Sequence, residues 1–148
     1  MKRRLAVVVI AALLVGAAVI PVEEPSYNEV KLFLEQDLTD QIPYEPVKMV
    51  CWDFAEVLQE NAHKAGLACS IVTLAWGTGD RSHVINAFET SDRGLIWVDC
   101  TGSHDPGVKG YDRELEPKVP GDTFVYEEVG GVAPVTVTLR DVSYSFGE

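Results

Sequence analysis

The chain has 148 residues, a formal net charge of −11 and an isoelectric point near 4.6. This length allows one domain and at most a short appendage. The first twenty residues carry three basic groups and no acidic ones, so the remainder carries −14. Because phosphate binding needs a basic patch, this charge excludes nucleic acid as an expected partner. Cationic substrates, or simple solubility, fit an acidic surface better.

The N-terminal segment has the pattern of an export signal. Basic residues at positions 2–4 precede an uncharged apolar run over 5–20. As a helix this run would be about 24 Å long, shorter than the roughly 30 Å hydrocarbon core of a bilayer. Two interpretations stay open: a signal peptide cleaved after Ala18, or an uncleaved membrane anchor within 1–22, which we slightly favour because no clear Ala-x-Ala motif is present. Both place a single domain, 23–148, outside the cytoplasm, with membrane contact through the N-terminal segment alone.

Two helices are predicted near the start of this domain. Ser26-Tyr27-Asn28-Glu29 reads as a capping box, followed by a helix to about Gln36 that buries Tyr27, Val30, Phe33 and Leu34. A second helix is predicted over 50–65, where apolar residues recur with the spacing of one buried face and Gly66 provides a stop. The apolar positions of this second helix are Val50, Phe54, Val57, Leu58, Ala62 and Ala65.

Beyond Gly66 the pattern changes to that of strands. Strands are predicted at 68–76, 83–89 and 95–100, with short turns between them that predict an antiparallel meander. A long irregular connection is predicted over 107–121, followed by two further strands, 124–128 and 134–144, joined by a hairpin at Gly130-Gly131. The expected fold class is therefore α+β, with the second helix packed on an antiparallel sheet.

Three residues with catalytic chemistry fall at related positions in this scheme. Cys51 lies in the first turn of the second helix, where free backbone N–H groups lower the pKa of a thiol. His83 starts the second strand, opposite residues 99–101 of the third strand, so its ring can reach Asp99 across about 5 to 8 Å. Each residue alone has an ordinary structural explanation. Together they predict a triad with Cys51 as nucleophile, His83 as base and Asp99 as the acid that orients the imidazole.

These blocks resemble the transglutaminase-like superfamily, a branch of the papain-like cysteine peptidase fold. The matching pieces are Cys51-Trp52-Asp53-Phe54-Ala55, the strand from His83 to Phe88, and Gly94-Leu95-Ile96-Trp97-Val98-Asp99. The resemblance covers 44–102 and implies acyl transfer at an amide through a thioester: hydrolysis, deamidation or transfer to an amine. The interval from Cys51 to His83 is shorter than in large animal transglutaminases, so their calcium sites and extra domains are not carried over. Cys100-Thr101 also replaces the Pro-Thr that relatives often have after the acid.

The expected oxyanion hole combines the backbone N–H of Cys51 with a second donor from the preceding loop. Tyr44 is the preferred candidate for this donor and Gln41 is the other. Trp52 and Trp76 are candidate walls of the cleft. We expect no cofactor and no metal, because His104 and Asp105 form a single pair without further ligands at metal spacing.

The other two cysteines allow a test of the predicted meander. An exported protein could pair Cys69 with Cys100, but the strand register separates them by about 16 Å, whereas a disulfide needs Cα atoms within about 7 Å. We therefore predict three free thiols, with Cys69 and Cys100 buried. A redox function is disfavoured because no second cysteine lies close to Cys51 in sequence.

The expected function is thiol-dependent acyl transfer on a peptide or protein amide outside the cytoplasm. The alternative is a non-enzymatic envelope module that keeps the fold for binding, since a fold does not fix a function. The oligomeric state is left open by the sequence.

Overall fold

The computed structural model describes residues 24–127, 130–131 and 133–146. They form an α+β domain with two helices, a short 3₁₀ turn and six strands. The elements are α1 (Tyr27–Gln36), the 3₁₀ turn (Thr39–Gln41), α2 (Cys51–Lys64), β1 (Ser70–Trp76), β2 (Ser82–Thr90), β3 (Gly94–Asp99), β4 (Arg113–Leu115), β5 (Thr123–Tyr126) and β6 (Val135–Phe146). The expectation for 1–22 lies outside the described residues. Among those residues, no helix is both long and apolar enough to span a bilayer.

Helix α1 begins with the predicted capping box. The Ser26 hydroxyl accepts from the Glu29 N–H at 3.3 Å, and the Glu29 carboxylate accepts from the Ser26 N–H at 2.7 Å. These two bonds satisfy donors that a helix start leaves without intrahelical partners. Val30 and Leu34 are buried as predicted, whereas Tyr27 and Phe33 are only partly buried.

Helix α2 begins at Cys51, one residue after the predicted start, so Cys51 lies in the first turn as predicted, and that turn is stabilised by a carboxylate. The Asp53 side chain accepts from the Val50 N–H at 2.8 Å, which satisfies one free donor at the positive end of the helix dipole. The helix ends at Lys64, and Gly66 follows with φ +81°. The face that packs on the sheet consists of Phe54, Ala55, Leu58 and Ala62. The predicted burial was wrong at one end of the helix, since Ala65 is exposed.

The six strands form one antiparallel sheet in the order β4-β3-β2-β1-β6-β5. The predicted meander is confirmed by the pairing of β1 with β2 and of β2 with β3, and the predicted last hairpin by the pairing of β5 with β6. Strand β4 lies within 107–121, where only irregular structure was predicted. It was missed because three residues are too few to show an alternating pattern.

The sheet is curled, which brings its two edges together. Phe124 of β5 belongs to the same buried cluster as Trp97 of β3, although three strands separate β5 from β3 in the sheet order. This cluster fills the inner face of the curl. A second cluster, which includes Phe54, Leu58 and Phe88, lies between the helices and the outer face. Helix α2 therefore packs outside the curled sheet, with its N-terminus at one end of β2.

Gly102 lies where the segment after β3 passes closest to α2 and the loop before it. A Cβ atom there would overlap the Ile42 carbonyl oxygen and lie 2.9 Å from the Phe54 ring. We expect Gly102→Ala to lower the free energy of unfolding by about 3 kcal/mol, the upper part of the usual cost of overpacking. Gly66→Ala is the control: no atom lies within 4 Å of its Cβ position, so it should cost only the left-handed backbone penalty of about 1 kcal/mol. Urea unfolding would measure both, and equal losses would contradict the expectation.

Candidate active site

Cys51 lies at the junction between α2 and the sheet. It is partly buried and packs against Ala55 of its own helix, Ile71 of β1 and Val84 of β2. As the first residue of α2 it has a backbone N–H without an intrahelical acceptor. The thiol thus combines partial solvent access with the positive end of a helix dipole.

His83 and Asp99 are in direct contact, as the strand register predicted. The Nε2 atom of His83 lies 2.7 Å from Oδ2 of Asp99, and the two residues are only 1% and 3% exposed. Both side chains lie on the inner face of the curled sheet. They are located just beyond the last β2–β3 pair, Asn86 and Val98, where the two strands separate. A buried imidazole–carboxylate pair is therefore built into one end of the sheet.

The Cys51 thiol contacts this pair through the other side of the imidazole ring. The His83 side chain and the backbone N–H of Val84 are close enough to its sulfur to lower the pKa of the thiol. Because Asp99 occupies Nε2 of His83, Nδ1 is the ring nitrogen left for the thiol. The structure thus brings together the three residues that the sequence selected, in the order thiol, imidazole, carboxylate.

The electrostatics favour a charged form of this arrangement. Burial opposes ionisation of Cys51, but the hydrogen bond and charge of His83, with the Val84 N–H, lower the thiol's pKa overall. Burial also opposes the charge on His83, yet the charge and hydrogen bond of Asp99, assisted by Cys51, raise the pKa of His83 to about 9. Burial would raise the pKa of Asp99, but the charge and hydrogen bond of His83, followed by the charge of Arg113, hold it well below its usual range. An imidazolium and a carboxylate are therefore favoured near neutral pH, beside a thiol that ionises more readily than an ordinary cysteine.

Two residues that contact the pair were not selected by the sequence analysis. The guanidinium of Arg113, on β4, donates to Oδ2 of Asp99 at 2.7 Å. The Tyr126 ring, on β5, meets the His83 ring edge-on with 4.8 Å between centroids. Tyr126 reaches the pair across the curl of the sheet, whereas Arg113 is the cross-strand partner of Asp99 on a strand too short to show an alternating pattern. Of the two predicted cleft walls, Trp76 packs against Tyr126 with 5.6 Å between ring centroids. Trp52, which follows Cys51 in the sequence, is 42% exposed.

The two predicted oxyanion donors lie in the loop before α2. The Tyr44 ring is stacked on Phe54, with 6.3 Å between centroids, and on His104, with 3.7 Å. Its backbone N–H donates to the Ser103 carbonyl at 3.1 Å, which holds this part of the loop beside the segment that follows β3. Gln41 ends the 3₁₀ turn and is exposed. Donation to an oxyanion by Tyr44 or Gln41 stays a prediction.

Cys69 and Cys100 are buried as predicted, and all three thiols are free. Both side chains contact the Asn86 amide, which lies between them. The Asn86 Nδ2 atom donates to the Cys69 sulfur at 3.4 Å, and the Cys100 thiol donates to Asn86 Oδ1 at 3.6 Å. Burial raises the pKa of Cys69 to about 12 and that of Cys100 well above its ordinary value. These two thiols are held protonated, in contrast to Cys51.

Within the described residues, no group of three or more His, Cys, Asp or Glu side chains has an arrangement suited to a metal ion. Comparisons of the chain with protein-family models, with curated proteins and with solved structures found no match. The class of protein must therefore be inferred from the fold and the site themselves.

Proposed function

We propose that this protein is a cysteine-dependent acyl-transfer enzyme of the transglutaminase-like, papain-like type. The observation that carries the proposal is the position of His83, whose ring is hydrogen-bonded to the Asp99 carboxylate at 2.7 Å and is close enough to the Cys51 thiol for each group to shift the pKa of the other. A buried imidazole held between a nucleophile and an orienting acid has the geometry of general acid–base assistance to thiol attack.

The proposed reaction begins with attack of the Cys51 thiolate on an amide carbonyl, forming a carbon–sulfur bond and an oxyanion. The backbone N–H of Cys51 stabilises this oxyanion together with a second donor, Tyr44 or Gln41. The imidazolium of His83 gives its Nδ1 proton to the leaving amine, and a thioester remains. Water or an acceptor amine then attacks the thioester and loses its proton to His83, which restores the thiolate. Asp99 keeps the ring in one orientation throughout.

The proposed substrate is a peptide or protein amide outside the cytoplasm. The start of the domain is tied to the turn between β2 and β3, where the Ser91 N–H donates to the Pro25 carbonyl at 3.0 Å. His83 lies at the other end of β2, about 26 Å away at the usual rise of a strand. If the N-terminal segment anchors the chain, its attachment point and the thiol are at opposite ends of the sheet. This arrangement favours a substrate in the envelope space over one within the bilayer.

Acylation of the thiol by a simple activated ester is the direct test. With p-nitrophenyl acetate, intact-protein mass spectrometry should detect one acetyl group, and peptide mapping should locate it on Cys51. Cys69 and Cys100 serve as internal controls because both are buried, and Cys51→Ala should abolish the adduct. A tagged amine and candidate envelope peptides would then identify the acceptor and the donor. Acetylation spread over all three cysteines, or none at all, would contradict the proposal.

The second candidate function is that of a binding module, favoured by a cavity remote from the thiol. This cavity has a volume of about 430 Å³ and lies at the other end of the sheet. Its lining includes Leu95, Tyr144 and Phe146, so it could hold an apolar group. A module of this kind would bind its ligand equally well after Cys51→Ala and would not form the acetyl adduct.

A further inference from the structure

The Arg113 guanidinium donates two hydrogen bonds, one to Asp99 and one to the opposite edge of the sheet. Its Nη2 atom donates to Oδ2 of Asp99 at 2.7 Å, and its Nη1 atom donates to the Glu127 carbonyl at 2.6 Å. Arg113 belongs to β4, one edge of the sheet, whereas Glu127 follows β5, the other edge. The guanidinium therefore spans the gap across which the curled sheet closes. Its side chain is only 11% exposed, so water screens the contact weakly.

The same contact completes the set of donors around the Asp99 carboxylate. Oδ2 of Asp99 accepts from both His83 and Arg113 at 2.7 Å, while Oδ1 accepts from the Thr101 N–H at 3.0 Å. Donors on both oxygens fix the rotation of the carboxylate plane, and this plane sets the direction of the bond to His83. Without Arg113, only one charge-assisted donor would remain on the carboxylate.

We infer that Arg113 is the positioning residue for the Asp99–His83 pair, and that it makes the orientation of the pair depend on closure of the sheet at Glu127. The inference rests on the function proposed above and extends it to a residue that does not touch the thiol. A planar guanidinium suits this role because two of its N–H groups point along fixed directions. A lysine ammonium could retain the charge beside Asp99 but not the rigid fork.

The experiment combines an NMR measurement with the rate of Cys51 alkylation by iodoacetamide. In the wild-type protein we expect a low-field proton signal from the Nε2–H of His83 bonded to Asp99. Arg113→Met should move this signal upfield and lower the alkylation rate about tenfold, the lower end of what losing an outer partner of a functional group costs. Arg113→Lys should fall between Met and wild type. The matched control is Arg140→Met, because Arg140 also bridges segments, donating to the Gly77 and Gly79 carbonyls, but does not contact the pair.

A double-mutant cycle separates positioning from a general loss of stability. If Arg113 acts through Asp99, then Arg113→Met should cause no further loss of alkylation rate in an Asp99→Ala background. An equal loss in both backgrounds, or an unchanged His83 signal in Arg113→Met, would overturn the inference. Should Arg113→Met or Asp99→Ala fail to fold, the same comparison is made with Arg113→Lys or with Asp99→Asn, which removes the charge but keeps the size of the side chain.

The two proposals fail in different ways. A wild-type thiol that reacts no faster than a cysteine in an unstructured peptide would remove the proposed function, yet the His83 signal would still report whether Arg113 orients the pair. A reactive wild-type thiol with a signal and a rate that are insensitive to Arg113 would remove the present inference alone.

Discussion

Replacing His83 with alanine is expected to slow alkylation of Cys51 near pH 7 by about tenfold and to slow turnover of its thioester far more. Burial is the largest influence on the Cys51 thiol, and its hydrogen bond to His83 is the main influence that offsets it. Without the imidazole the pKa of the thiol rises and the thiolate fraction near pH 7 falls, while the greater nucleophilicity of a more basic thiolate offsets part of this loss, which leaves a net effect on the order of tenfold. Turnover also loses the acid–base group, which contributes a further 10²–10⁴ in typical enzymes.

The measurement is the rate of iodoacetamide labelling of Cys51 as a function of pH, read from peptide masses. In the wild type, labelling should be fast at neutral pH because the pKa of the thiol is lowered. In His83→Ala it should become fast only at alkaline pH. His63→Ala is the matched control, since His63 is exposed and its Nε2 lies 3.2 Å from the Cys69 carbonyl, away from the thiol. Equal rates for the wild type and His83→Ala would show that the imidazole does not activate the thiol.

The contact of His83 with Asp99 could be predicted because it depends on short-range features of the chain. A turn of known position between two strands fixes which residues face each other, and counting back from it was enough to bring these two side chains within reach. The position of Cys51 followed in the same way from helical periodicity and from the stop at Gly66. Each step used information within about twenty residues.

Arg113 and Tyr126 could not be predicted for two different reasons: Arg113 lies opposite Asp99 on a strand that shows no alternating pattern, and Tyr126 reaches His83 only through the closure of the sheet. Arg113 follows a stretch rich in glycine and proline, on a strand of three residues whose partner is β3. Tyr126 meets His83 across the curl, although two strands lie between β2 and β5 in the sheet order. The curl is a collective result of strand twist and packing, and no pattern in a single segment reports it.

The role of Asn86 could not be predicted from the alternation of side chains along β2. It lies on the opposite face from His83, as the period of a strand requires, and was therefore not selected as part of the site. That opposite face carries α2, and the Asn86 amide donates to the Ala55 carbonyl at 2.9 Å. The residue thus supports the helix that bears Cys51. Periodicity identified the face correctly but gave no information about what packs on it.

Removal of the Asp99 carboxylate is expected to cause the largest loss of stability of any single change in the site. Asp99→Ala would leave the Arg113 guanidinium without its ion-pair partner and the buried His83 ring without an acceptor. Breaking a buried ion pair by removing one partner typically costs about 3–5 kcal/mol. Urea unfolding near pH 6 would measure the loss. Glu60→Ala is the control, because the ion pair of Glu60 with Lys64 is largely exposed and its removal should leave the unfolding midpoint nearly unchanged.

The pH dependence of this loss follows from the two pKa shifts and provides a second check. Because the folded-state pKa of Asp99 is lowered, the stability that this group contributes is present above its unfolded pKa of about 3.9 and is lost as the pH falls through the folded value. The folded-state pKa of His83 is raised to about 9, so its contribution is full below the unfolded value of about 6.5 and is lost as the pH rises through 9. The difference between wild type and Asp99→Ala should therefore be greatest at about pH 5–6 and should shrink towards both extremes. A difference that stays constant from pH 5 to about pH 10 would mean that Asp99 stabilises the fold without charging the imidazole.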